Sequence, residues 1–273
     1  MSNAKGIPRT AGDENFPVAS WLLPTWSRPH VMAFYAFARF GDDIADAHDL
    51  TVQDKLTQLQ AMSVQLDGAM ADTLPQVGVL RHSLNETDVT SRHAQDLLKA
   101  FMWDAEHPRT ANWSALMTYC DLSAAPVGRY LIDVFGGCDD GYKASDALCA
   151  ALQILNHLQD IKDDYVNLNR IYVPDDWMSA VGMDDMDLSA THCAPGLRRV
   201  VNRMLDGVDV LLDEAKPLPK TIRSRALARE AGGILAIAWR LAKKLRTHDP
   251  LAMRVELSKP VMGMWFLWGA LRA

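Results

Sequence analysis

Apolar residues recur along this chain at three- and four-residue spacing, while alternating apolar–polar runs and Asn-Gly hairpin signals are scarce. A chain patterned in this way buries its apolar surface by packing helix on helix, so an all-α fold is expected. The first long helix is expected from Pro29, a good first-turn residue, to about Ala47. Others are expected over 51–70, 90–106 and 112–137, the last bent near Pro126 and stopped by Gly136-Gly137. A helix over 145–169 takes Ser145 as its N-cap. A short turn after Pro174, long helices over 195–216 and 223–246, and an apolar helix over 259–273 complete the pattern. The segments 72–88 and 181–196 read as loops. With no fixed-period repeat and no low-complexity linker, residues 1–273 are expected to form a single domain.

A net charge of −6 and a pI near 5.7 argue against a nucleic-acid partner, which needs a basic face. Cys120, Cys138, Cys149 and Cys193 form no CxxC pair and read as small hydrophobes in a reducing compartment. The first residues lack the apolar core of a signal peptide, and no apolar run is long enough to span a bilayer. A cytoplasmic chain is expected. The terminal segment KPVMGMWFLWGALRA reads as a helix docked on the core, with peripheral membrane contact as the alternative. The basic stretches RRVVNR and RLAKKLR read as solvated faces.

The stretch FARFGDDIADAHD, residues 37–49, gathers like charges where the chain otherwise looks ready for burial. Two carboxylates about 4 Å apart repel by roughly 4 kcal/mol at an effective dielectric near 20. Water, protons, basic side chains or metal ions must offset that. At helical spacing Tyr35, Arg39, Asp42 and Asp46 fall within about 60° of one another, with Asp43 on the shoulder. Val31, Phe34, Ala38, Phe40 and Ile44 flank that stripe. A second stripe joins Asn156, Asp160 and Asp163 or Asp164, with Gln153 near the same face. Leu152, Ile154, Leu155, Leu158 and Ile161 cover the rest. Either stripe alone reads as a wet surface. Two of them, about 115 residues apart on apolar helices, point to one cleft if the helices pack side by side. Hard divalent ions take oxygen ligands, and Mg²⁺ keeps several waters while binding phosphate through a few carboxylates. The acids are thus expected to form the protein half of a metal–diphosphate clamp. The Glu-x-x-His pairs of di-iron bundles, the HExxH zinc motif, a Walker loop, GxGxxG and an EF-hand loop are all missing.

On YAFARFGDDIAD (35–46), YCDLSAAPVGRYL (119–131) and NHLQDIKDDYVNLNRIYVP (156–174), the chain resembles the squalene/phytoene synthase family. ENFPVASWLLP (14–24) and the APVGR block resemble its bacterial hydroxysqualene synthase branch. The resemblance implies one bundle of long helices around a central cavity. It implies Mg²⁺ ligation by Asp42, Asp43, Asp46, Asn156, Asp160 and Asp164, and diphosphate contacts from Tyr35, Arg39, Arg170 and Tyr172. Where the branch often has an acid directly after the first motif, this chain has Ala47 and then His48; His48 itself reads as a solvated helix end.

The implied reaction turns presqualene diphosphate and water into hydroxysqualene and diphosphate. Pathway enzymes upstream and downstream supply the substrate and consume the product. The rival within the fold condenses two prenyl diphosphates; a rival of another class is a non-catalytic helical assembly factor. An apolar channel would hold two farnesyl-length tails. Phe16, Trp21, Phe37, Phe40, Phe101, Trp103 and Tyr119 are aromatic candidates for its wall, each with core packing as the competing role. Tyr119, Gln153 and Asn156 are candidates for the water that captures the cation, and Lys162 for damping repulsion among the acids.

Overall fold

The computed structural model describes residues 22–69, 73–106, 109–137 and 139–273. Phe16, Trp21 and Cys138, and the first part of the 14–24 block, lie outside the described residues. Among the described residues the fold is all helix, with one isolated parallel bridge between Arg109 and Ile171.

Two apolar cores organise the chain. The first is built by α1 (Arg28–Asp46), α2 (Val52–Leu66), α3 (Pro75–Thr87) and α4 (Arg92–Glu106). Helix α2 starts on a capping box in which Thr51 and Asp54 exchange hydrogen bonds. The second core surrounds α7 (Tyr142–Leu168), on which α5 (Trp113–Ser123), α6 (Ala125–Val134), α9 (Pro195–Ala215) and α11 (Arg225–Thr247) pack. The short α8 (Asp175–Ala180) and α10 (Leu218–Thr221) fill its edges, and α12 (Lys259–Ala270) lies along α11. Helix α4 joins the cores by packing on both α1 and α5.

Four local expectations need correction. The 72–88 segment is mostly helix, because Val77, Leu80 and Leu84 form a stripe that α1 and α2 bury. The 112–137 helix is two helices, broken at Ala124 rather than bent. Pro126 has no N–H to give Leu122, and its ring crowds that carbonyl. Helix α7 begins at Tyr142, so Ser145 lies inside it, buried, and does not cap it. There α6 crosses so closely that a Cβ on Gly128 would meet Ser145 Oγ at 2.2 Å. Finally, α1 and α7 do not interlock side by side. The principal partners of α1 are α2, α3 and α4, and the segment after α7 bridges the gap.

The terminal helix is docked, as expected, but by one face only: Phe266, Gly269 and Ala270 are buried. No helix among the described residues is long and apolar enough to cross a membrane.

Candidate active site

Helix α7 ends on Asn169, which takes the left-handed conformation (φ 54°) that Asn tolerates better than most residues. The Arg170 N–H then donates to the Asp164 carbonyl at 3.0 Å. This reversal sends residues 170–173 back beside α7, where Thr110 N–H fixes the Ile171 carbonyl at 3.0 Å. As a result the Arg170 side chain reaches α1. It donates to Asp46 at 2.6 Å, to the Ala45 carbonyl at 2.9 Å and to the Asp104 carbonyl at 3.3 Å. Burial opposes the Arg170 charge, but Tyr172, Asp104 and Asp46 outweigh it and raise its pKa. The lone Lys55 also reaches the Ala45 carbonyl, at 2.8 Å.

Asp104 is the hub beneath this bridge. It is buried on α4 and accepts hydrogen bonds from Tyr119 and Tyr172, each at 2.8 Å. Burial raises the Asp104 pKa against the pull of Arg170 and the two tyrosines. Burial likewise pushes both phenols well above their ordinary value. The Tyr172 ring stacks on His157 with centroids 3.6 Å apart, and His157 Nδ1 lies 3.6 Å from Asp164. His157 Nε2 is buried without a hydrogen-bond partner. The hollow lined by His157, Asp164, Arg170 and Tyr172 encloses about 10 Å³, room for no more than a single water and none for a farnesyl tail.

The acids are countered by arginines. Arg39 holds Asp42 at 2.8 Å and Asp43 at 2.6 Å. Arg170 holds Asp46, and Arg254 reaches Asp160 at 2.5 Å. Basic side chains therefore supply part of the compensation the sequence demanded. Asp163 is exposed, whereas Asp164 is half-buried beside His157. Lys162 bonds the Ala190 carbonyl at 3.2 Å. His48 is exposed.

Tyr35, Gln153 and Asn156 are half-buried on their expected helices. Phe37 is fully buried in the first core, and Phe101 lies under α1 against Gly41; both are packing residues. Asp104, His157 and Arg254 also meet these side chains; Asp104 and Arg254 lie in no quoted stretch, and His157, inside 156–174, carried no expected role. A buried acid in the apolar run FMWDAE was the only signal for Asp104.

The Asp42, Asp43, Asp46, Asn156, Asp160 and Asp164 side chains all offer oxygen, the donor type that suits Mg²⁺. Among the described residues no three acidic, His or Cys side chains converge tightly enough to hold an ion by themselves. That fits a site completed by phosphate and water, in which each ion takes one or two carboxylates.

Asp42 is pushed up to about 7, by burial first and then by the Asp46 charge, against the pull of Arg39. Solvent still reaches 37% of its side chain, although protein surrounds it at the longer range over which charges are desolvated. The folded chain therefore keeps a proton on Asp42 that the unfolded chain releases near pH 3.8. Stability tied to that proton is full below pH 4 and is lost as pH rises through 7. In chelator, Asp42→Asn is expected to be more stable than wild type at pH 8 by about 1–2 kcal/mol, a figure discounted for exposure. The gain should vanish near pH 4; a pH-independent difference in thermal melts would contradict this placement of Asp42.

The squalene/phytoene synthase family model matches residues 9–261. The chain belongs to the squalene/phytoene synthase family. It is 41% identical over 263 residues to a hydroxysqualene synthase of Rhodopseudomonas palustris, covering 96% of this chain and 89% of that protein. It is also 41% identical to a hydroxysqualene synthase of Zymomonas mobilis, covering 94% and 88%. Phytoene synthases match at lower identity, such as 26% for that of Pantoea ananas, over 90% of this chain and 79% of that protein. Among solved structures, a squalene synthase from Alicyclobacillus acidocaldarius superposes with a TM-score of 0.74 at 30% identity, covering 84% and 86% of the two chains. A dehydrosqualene synthase superposes at 0.78 with 20% identity, covering 94% and 92%, a likeness of fold.

Proposed function

We propose that this chain is a hydroxysqualene synthase, converting presqualene diphosphate and water into hydroxysqualene and diphosphate with the help of Mg²⁺. The observation that carries the reading is the Arg170 bridge: it bonds Asp46 of the first motif while its own backbone caps the helix of the second at Asp164. The two relatives at 41% identity support the branch.

Asp42, Asp43 and Asp46 would hold Mg²⁺ from one side and Asn156, Asp160 and Asp164 from the other. Bound there, the metal supplies positive charge for the departing diphosphate. Arg39 turns from Asp42 and Asp43 toward the diphosphate oxygens, with Tyr35 beside it, and stabilises charge as the C–O bond breaks. The diphosphate leaves with the bonding electron pair. The cyclopropylcarbinyl cation rearranges and opens to an allylic cation, which water captures; the proton lost goes to diphosphate or solvent. Gln153, Asn156 and Tyr119 would orient that water. Arg170 and Tyr172 keep the two halves of the cleft in register. A preceding enzyme makes the cyclopropyl diphosphate, and a following one consumes the alcohol.

Purified protein incubated with presqualene diphosphate and Mg²⁺, without NADPH, is expected to release hydroxysqualene. Consumption of farnesyl diphosphate alone would assign the condensation instead. Turnover of neither substrate, with no Mg²⁺-dependent diphosphate binding, would favour a non-catalytic helical protein.

A further inference from the structure

Charge is unevenly shared along this acidic chain. Residues 225–273 carry nine Lys and Arg against three acids, Glu230, Asp249 and Glu256, while residues 1–224 carry 19 against 31. The C-terminal part is thus +6 in a protein of −6. Of its acids Glu230 is buried, and the exposed side of α11 shows Arg225, Arg229, Arg240 and Lys243.

Helix α12 lies on this basic element. A glycine seam sets its orientation: a Cβ on Gly269 would meet the Gly232 carbonyl oxygen at 2.1 Å, and one on Gly233 would meet the Phe266 ring at 2.5 Å. Backbones that approach so closely leave α12 no freedom to roll. Its opposite face therefore stays outward, with Met264 58%, Leu267 48%, Trp268 45% and Leu271 85% exposed. These residues follow one another at helical spacing and form one stripe. Exposed apolar residues elsewhere, such as Val79, Met186 and Val210, are scattered singly and call for no explanation. Trp268 lies under Arg272 at 4.0 Å and meets Trp265 edge-on at 5.4 Å, with Arg240 over Trp265. Segment 259–273 contains no acid.

We propose that the Met264–Leu271 face of α12 docks on an anionic lipid surface, seating its indoles at the headgroup level. Trp and Arg side by side suit that boundary, where one side is apolar and the other wet. Basic residues around an apolar stripe add attraction to acidic headgroups. A second copy of the chain is a poorer occupant, since two such faces would bring like charge together. The proposal stands apart from the catalytic reading, because it uses none of the motif residues.

Co-sedimentation of the full chain with vesicles tests it. The protein is expected to pellet with phosphatidylcholine vesicles containing about one third phosphatidylglycerol, more weakly with phosphatidylcholine alone, and less as salt rises. A cation beside an anionic surface is worth about fivefold in binding, so Arg240→Glu with Lys243→Glu should weaken it more than about twentyfold. Leu271→Ser, at a position with almost no packing to lose, and Leu267→Ser should also weaken it while circular dichroism melts stay unchanged. Failure of wild type to pellet with the anionic vesicles overturns the proposal, as does binding that none of these variants alters. A dimer in analytical ultracentrifugation that Leu267→Ser dissociates would give the face to a second copy, and overturns it too.

Discussion

Asp160→Ala is expected to lower turnover of presqualene diphosphate by about a thousandfold or more while leaving the helical content intact. Asp160 sits mid-way along the second motif on α7, with only 18% of its side chain accessible, and it holds Arg254. In the proposed reaction, removing it deletes a carboxylate that would gather positive charge where the diphosphate departs. It also leaves Arg254 beside apolar α7 residues, but Arg254 is about one third exposed and solvent can take up its charge. The fold should therefore survive. Asp42→Ala, from the opposite side of the cleft, should have the same effect. Rapid-quench turnover, calorimetric titration of diphosphate with and without Mg²⁺, and circular dichroism together read the result. Near wild-type turnover in either variant would sink the assigned role, and a large loss of helix would make the defect one of folding.

The second large effect belongs to Arg170. Arg170→Met should destabilise the chain by about 3 kcal/mol, because it strips one guanidinium from Asp46, the Ala45 carbonyl and the Asp104 carbonyl at once. For a chain of this size that is a fall in Tm of about 6–12 °C. Arg170→Lys keeps the charge but has one ammonium where a planar fork reaches three acceptors, so it should recover less than half of the loss. Pairing Arg170→Met with Asp46→Asn should restore part of the stability, since no half-buried carboxylate is then left without its guanidinium partner. Equal stability of wild type and Arg170→Met would show that the bridge contributes little to holding the two cores together.

Much of this was legible in the sequence. The 3.6-residue period located α1 and α7 almost to their ends and put the acids of each on one face, because side-chain direction along a helix follows from local geometry. Pro126 marked the place where the helix is interrupted, because the missing N–H acts within one turn, although the expected bend is a full break between α5 and α6. Other features were illegible because they depend on neighbours. The Val77, Leu80 and Leu84 stripe of α3 is narrow and interrupted by Gly78, and only burial under α1 and α2 makes it a helix worth forming. Ser145 has the chemistry of a cap, but an N-cap is worth about 1 kcal/mol, and the close crossing at Gly128 places that residue inside α7. Asp104 stands in no motif, and His157, inside the 156–174 stretch, carried no expected role. They gain roles from Tyr119 and Tyr172, which arrive from other elements.

The amino-acid order alone determined which helix faces bear carboxylates and which are greasy, since both follow from spacing along one element. It also set the reversal at Asn169, a single residue tolerant of positive φ. Arg39 pairs locally within α1, but only the tertiary structure decided which cation faces which acid between elements: Arg170 across the two cores and Arg254 from the connection between α11 and α12. Those pairings depend on separations of a few ångströms between elements distant in sequence. Packing of the two cores sets such separations, and no local pattern encodes them.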